Sequence, residues 1–150
     1  MAGGYFYHGE YIVEHKEKYL GSKNPKFRSS WEKRFCFWCD NNDNITKWGY
    51  EILDITYFSP IDNKVHRYFP DFYFEAIAPN GKIKKYLVEV KPKKSTEPPK
   101  KPKNKNRKAV QRFMEDTENF IINQSKWKSA KKFCTKRGLE FKIITEKDLF

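Results

Sequence analysis

The sequence predicts a single α/β domain in the order helix, three strands, helices, strand. Three observations carry that reading. Glu32, Phe35, Cys36 and Cys39 fall on one helical face; residues 48–91 alternate as strands separated by two turn signals; and beyond a basic, proline-rich stretch helical spacing returns before a last apolar run. A chain of 150 residues is long enough for one real core and short for two.

Residues 1–27 mix tyrosine, lysine, glutamate and glycine with no sustained period. They read as an irregular N-terminal arm, a segment of the kind that orders against a partner, ahead of a domain over residues 28–150. Ser29 or Ser30 caps a helix that begins near Trp31 and stops at Asp40-Asn41-Asn42-Asp43. Glu32 heads its apolar stripe, either as an ordinary first-turn acid favoured by the helix dipole or as a group that needs a partner or a metal. Residues 48–58 form the first strand, turned by Ser59-Pro60-Ile61-Asp62-Asn63, and residues 67–74 the aromatic-rich second. Ala78-Pro79-Asn80-Gly81 then folds the second strand onto the third, residues 87–91, which Pro92 closes.

From Lys91 to Lys108 there are nine Lys or Arg, four prolines, one acid and no apolar residue. The loop over residues 92–106 is therefore basic and extended, suited to a solvated linker or to a track along a phosphate backbone. Two helices follow, residues 105–122 with Val110, Phe113, Met114, Thr117 and Ile121 on one face, and residues 125–137 with Trp127, Ala130, Phe133 and Cys134 inward. Gly138 stops the second, residues 139–145 make the last strand beside the central hairpin, and residues 146–150 add a turn.

Charge narrows the function. Lys plus Arg number 31 against 19 acids, a net charge of +12, and an aromatic content of 17% belongs to a folded chain. A folded basic protein points to a polyanion, with DNA the first candidate and a ribosomal or membrane-surface role compatible with charge alone. No apolar run reaches membrane-spanning length, and no charged segment followed by an apolar stretch marks a leader, so the expectation is a soluble cytosolic protein. Three cysteines fit a reducing compartment without disulfides. Cys36-Phe37-Trp38-Cys39 lacks the second pair or spaced histidines of a zinc site, and inside an amphipathic helix it reads as core-facing thiols. No glycine-rich phosphate cradle is present, so no nucleotide cofactor is expected, and His8, His15 and His66 form no recognisable nucleophile triad.

The chemistry concentrates in Pro70-Asp71 and, after seventeen intervening residues, Glu89-Val90-Lys91. Alternation puts Glu89 and Lys91 on one strand face and Val88 and Val90 on the other, so site and core are expected on opposite faces. The hairpin brings Asp71 beside Glu89. Two oxygen donors suit magnesium, and a lysine next to them suits a phosphate gaining negative charge. An acid and a lysine two apart on an exposed strand equally describe a solvated surface.

With Glu32 on the first helix, Pro70-Asp71 and Glu89-Val90-Lys91 in the order αβββαβ, the chain resembles the PD-(D/E)xK superfamily of restriction-endonuclease-like folds over most of residues 29–145. More specifically, Arg28-Ser29-Ser30-Trp31-Glu32-Lys33, Arg67-Tyr68-Phe69-Pro70-Asp71, Val88 to Lys94 with Glu97-Pro98-Pro99, Lys126-Trp127-Lys128 with Ala130, and Lys136-Arg137-Gly138 resemble the head completion nucleases of T-even-type tailed bacteriophages. That resemblance implies an α+β mixed sheet and a DNA endonuclease, with an exonuclease component open, acting after packaging so that heads can join tails. It implies Asp71, Glu89 and the Val90 carbonyl as ligands of Mg2+, with Mn2+ a substitute, Glu32 completing the acidic cluster, and Lys91 orienting water or stabilising the phosphate. Double-stranded DNA would be the partner, with portal or neck proteins beside it, in the host cytoplasm during assembly and in the virion head or neck. Arg67, Lys93, Lys94, Lys100 and Lys101 are the candidates for phosphate contacts. Two other readings stand beside it: a structural head or neck component with a vestigial site, and a nuclease for branched DNA.

Overall fold

The computed structural model describes residues 8–149. Its frame is a four-stranded sheet with helices on both faces. Strands β3 (Ile45–Tyr50), β6 (Phe72–Ile77), β7 (Ile83–Val90) and β8 (Leu139–Ile144) lie in the order β3-β6-β7-β8. The first two pairings are antiparallel and the last is parallel, so the sheet is mixed. Helix α1 (Ser30–Asn41) precedes the sheet and α2 (Arg107–Arg137) crosses over between β7 and β8. Helix, three strands, helix, strand is the expected core order.

The first two strands of the sequence reading are each broken. Glu51 adopts a left-handed φ of 51°, and the chain leaves the sheet there. Residues 48–58 therefore divide between β3 and β4 (Ile55–Ser59). Residues 67–74 divide at Phe69-Pro70-Asp71, between β5 (Lys64–Tyr68) and β6. Strands β4 and β5 pair only with each other, as a hairpin inserted between the first and second strands of the sheet. Period-two alternation runs through both breaks, which is why they do not register in the pattern.

Helix α2 is also a correction. The expected break near residues 123–124 is absent, because nothing from Arg107 to Arg137 is Gly or Pro, and one helix runs 31 residues. Asn106 caps its start, and Gly138 at φ 70° ends it with its N–H on the Cys134 carbonyl. Only Trp127, Ala130 and Cys134 are buried, so the N-terminal half extends beyond the core.

Two apolar clusters sandwich the sheet. On one side Phe35, Cys36 and Cys39 of α1 meet Trp48, Phe72, Phe74, Val88 and Val90. On the other, Trp127, Ala130 and Cys134 meet Leu87 and the inner face of the hairpin, Ile55, Tyr57 and Tyr68. The face that bears Glu89 is therefore also a core face, two residues on from Leu87, contrary to the separation of site and core that alternation suggested. Cys36 and Cys39 point inward as core thiols, and burial raises both above the usual thiol range.

Residues 8–27 lie against the domain. Strands β1 (Gly9–Glu10) and β2 (Lys26–Phe27) pair, and Tyr11, Val13 and Phe27 join the α1 cluster. Asp40, fully buried at the end of α1, fastens this segment: it accepts from the Tyr11 hydroxyl at 2.7 Å, Glu14 N–H at 2.8 Å and His15 N–H at 3.0 Å. Burial opposes its charge, but these hydrogen bonds outweigh burial and hold its carboxyl below the usual range. Ordering without a partner is thus built into described residues that the sequence reading assigned to a loose arm. Asp40→Ala leaves three donors without their acceptor and should cost about 3 kcal/mol. Amide hydrogen exchange should accelerate over residues 11–19 before the sheet is affected; unchanged protection there would refute the role of Asp40.

Candidate active site

The site forms where β6 begins and β7 ends. Continuing the β6–β7 register from Phe72↔Val88 sets Pro70 opposite Val90. Pro70 has no N–H to donate, so the Val90 carbonyl lacks its ladder partner on that side. The Val90 N–H is taken instead by the Asp71 side chain, Oδ2 at 2.8 Å. The carbonyl of Asp71 accepts from Glu51 N–H at 2.9 Å, so the turn that ends β3 also fixes the backbone of this acid.

Glu89 lies next along β7. The Tyr68 hydroxyl donates to its Oε1 at 2.7 Å, and the Lys91 ammonium stands 3.5 Å from Oε2. Glu32 approaches from α1: its N–H donates to Ser29 Oγ at 3.1 Å in the helix cap, and its Oε1 accepts from the Tyr50 hydroxyl at 2.9 Å. The carboxylates of Glu32, Asp71 and Glu89, with Lys91 and Lys126, open on one cleft of about 510 Å³. Arg28 and Glu51 pair at its rim, and Arg67, also at the rim, pairs with Asp54 at 3.0 Å.

Asp71 and Glu89 are both almost fully buried. Burial, then the charges of Glu89 and Glu32, push the Asp71 carboxyl well above the usual range, against the pull of the Val90 N–H and Lys91. Burial also raises Glu89, although Lys91, the Tyr68 hydroxyl and Lys126 draw it down. Lys126 is lowered by burial and by the neighbouring Lys91. The two acids and the two lysines thus face one another across an open cleft. Among the described residues no group of three or more His, Cys, Asp or Glu is placed to hold a metal ion. The donors present are a carboxylate pair and a backbone carbonyl, a set that suits magnesium, which retains waters and takes one or two carboxylates.

The four residues singled out for chemistry, Glu32, Asp71, Glu89 and Lys91, thus meet in one cleft, and Arg67 lines it too. Lys93 and Lys94 begin a short 3-10 turn (Lys93–Thr96) just past β7. Lys94 and Lys100 face a separate groove of about 850 Å³ between the basic loop and α2, and Lys101 is exposed. Sequence reasoning assigned no role to Lys126, Tyr68 or Tyr50. Lys126 carried a signal: it stands four residues before Ala130, a lysine on a stripe that is otherwise apolar.

Comparison with known proteins points to nucleases. The model of the family described as TnsA-like endonuclease N-terminal matches residues 42–146, a span that includes Asp71, Glu89, Lys91 and Lys126. The chain is 38% identical over 144 residues to the head completion nuclease of Enterobacteria phage T4, across 95% of this chain and 93% of the relative.

A carboxyl whose value is raised by folding favours the native state below its unfolded value, and that contribution is lost as pH rises through the folded value. At neutral pH without metal the acid pair therefore works against the fold. Asp71→Asn keeps an oxygen for the Val90 N–H and removes one charge. In chelator at neutral pH it should raise stability by about 1–2 kcal/mol, or about 2–6 °C in melting temperature. The gain should vanish near about pH 4. An unchanged or lower melting temperature at neutral pH would count against strain between these acids.

Proposed function

The chain belongs to the TnsA-like endonuclease N-terminal family, and on that premise we propose that it is a metal-dependent DNA endonuclease of phage head completion. Its task on this reading is to cut packaged DNA after packaging, so that heads can join tails. The observation that carries the chemistry is the buried pair Asp71 and Glu89 at one end of the β6–β7 hairpin, with Lys91 3.5 Å from Glu89.

In this reading the Asp71 carboxylate, the Glu89 carboxylate and the Val90 carbonyl hold Mg2+, or Mn2+ in its place, with Glu32 completing the negative field. When bound, the ion supplies a Lewis acid to the phosphate and lowers the pKa of a water. The protein does the remainder. The Val90 N–H and the Tyr68 hydroxyl fix the two acids in rotation, so little reorganisation accompanies reaction. Lys91 orients the attacking water and offsets charge developing on the phosphate. Lys126, beside Tyr57 and Tyr68 with its ammonium 5.4 Å from the Tyr68 ring centre, adds a second positive charge on the α2 side. Arg67 at the rim and Lys93, Lys94, Lys100 and Lys101 along the basic loop take flanking phosphates, contacts that set affinity without reading sequence.

Supercoiled and linear duplex DNA incubated with the protein should be cut with Mg2+ or Mn2+ and remain intact in chelator. Asp71→Ala and Lys91→Ala should each reduce cleavage at least about 100-fold while the folded protein still binds DNA. Lys126→Ala should fall between them and the wild type, at about tenfold. Cleavage surviving in Lys91→Ala at the wild-type rate would contradict this assignment.

A further inference from the structure

The two faces of the β4–β5 hairpin differ in kind. The inner one packs on α2. On the outer one, Phe58 stands directly opposite Val65 and Thr56 opposite Arg67. Phe58 is 54% exposed and Val65 67%. The stripe continues to Phe69, 42% exposed, with the Arg67 guanidinium 5.1 Å from its ring centre, and both of these line the catalytic cleft. The exposed apolar cross-strand pair thus lies one step from Phe69 at the wall of the cleft, with Thr56 and Arg67 between them.

The ribbon is stiff. At its tip Asn63 N–H donates to the Ser59 carbonyl at 2.9 Å, Lys64 N–H donates to Asp62 at 3.0 Å, and His66 and Asp62 lie 2.7 Å apart. Tyr57 and Tyr68 anchor its base in the α2 core. A preorganised surface loses little entropy on binding, so its contacts count nearly in full.

Its occupant follows from position and charge. The surface opens on a site for a phosphodiester, in a chain of net charge +12, with Arg67, which also pairs with Asp54, in the stripe. A polyanion with flat apolar groups satisfies both halves of that description, and DNA bases are such groups. An intact duplex shows a ribbon its phosphates and groove edges; it offers base faces only where stacking is interrupted. Resting on the nuclease reading, we propose that the outer face of the hairpin is a base-stacking surface, and that the preferred substrate carries unpaired bases next to the duplex at the cut.

The test compares a fully paired duplex with the same duplex bearing an unpaired tail, using wild type and the Phe58→Ser/Val65→Ser double variant with Mg2+. Both substituted side chains are exposed, and an unchanged melting temperature will verify the fold. Wild type should cut the tailed DNA about tenfold faster, and the ratio should drop to about twofold in the variant. A 2-aminopurine in the tail should be quenched on binding by wild type and less by the variant. Equal cutting of both substrates by wild type would overturn the inference and leave the nuclease standing. A ratio kept by the variant would also overturn it. If folded wild type cuts neither DNA, the nuclease reading falls and this inference falls with it.

Discussion

Two carboxyl groups buried in one cleft cannot both carry charge unless positive charge joins them. Asp71 and Glu89 impose that constraint here, and the surrounding structure answers it. The Val90 N–H, the Tyr68 hydroxyl and Lys91 each favour ionisation, and burial still prevails. These partners thus leave the charge of the two acids only partly balanced. The same imbalance makes the site costly to the fold, as expected where function is assembled from groups that stability alone would not retain.

The fold delivers these groups through two interruptions. Glu51 in a left-handed conformation turns β3 out of the sheet, and its N–H holds the Asp71 carbonyl. Pro70 ends the ladder beside Val90 because it has no N–H to give. Between the two interruptions the chain makes the β4–β5 hairpin, which returns Tyr68 to Glu89 and places Arg67 and Phe69 on the rim. A continuous strand through either point would carry its side chains along the sheet rather than around the cleft. The α2 helix closes the other side, where one apolar stripe carries Trp127 into the core and Lys126 to the site.

Much of this was readable in the chain itself. Helical spacing located α1 with a serine cap, of which the structure uses Ser29 rather than Ser30, and Gly138 marked the end of α2. The acids and Lys91 stood out because strand alternation limits where they can point. The breaks at Glu51 and Pro70 were hidden because alternation continues through them, and a left-handed residue other than glycine has no compositional signature. Tyr68 and Tyr50 carried no signal of their role, since a hydroxyl's partner depends on tertiary contacts that spacing does not encode. Asp40 looked like part of a helix stop for the same reason: its partners, Tyr11, Glu14 and His15, lie more than twenty residues away.

The central claim is that Asp71, Glu89 and the Val90 carbonyl together hold a divalent ion. Crystals grown with Mn2+ and measured at its absorption edge test it directly. The account predicts an anomalous peak in the cleft, about 2.1 Å from an oxygen of each of these three groups. It also predicts that this peak disappears when the Asp71→Asn protein is treated in the same way. A cleft without an ion at saturating Mn2+, or an ion bound only by groups outside this set, would contradict it.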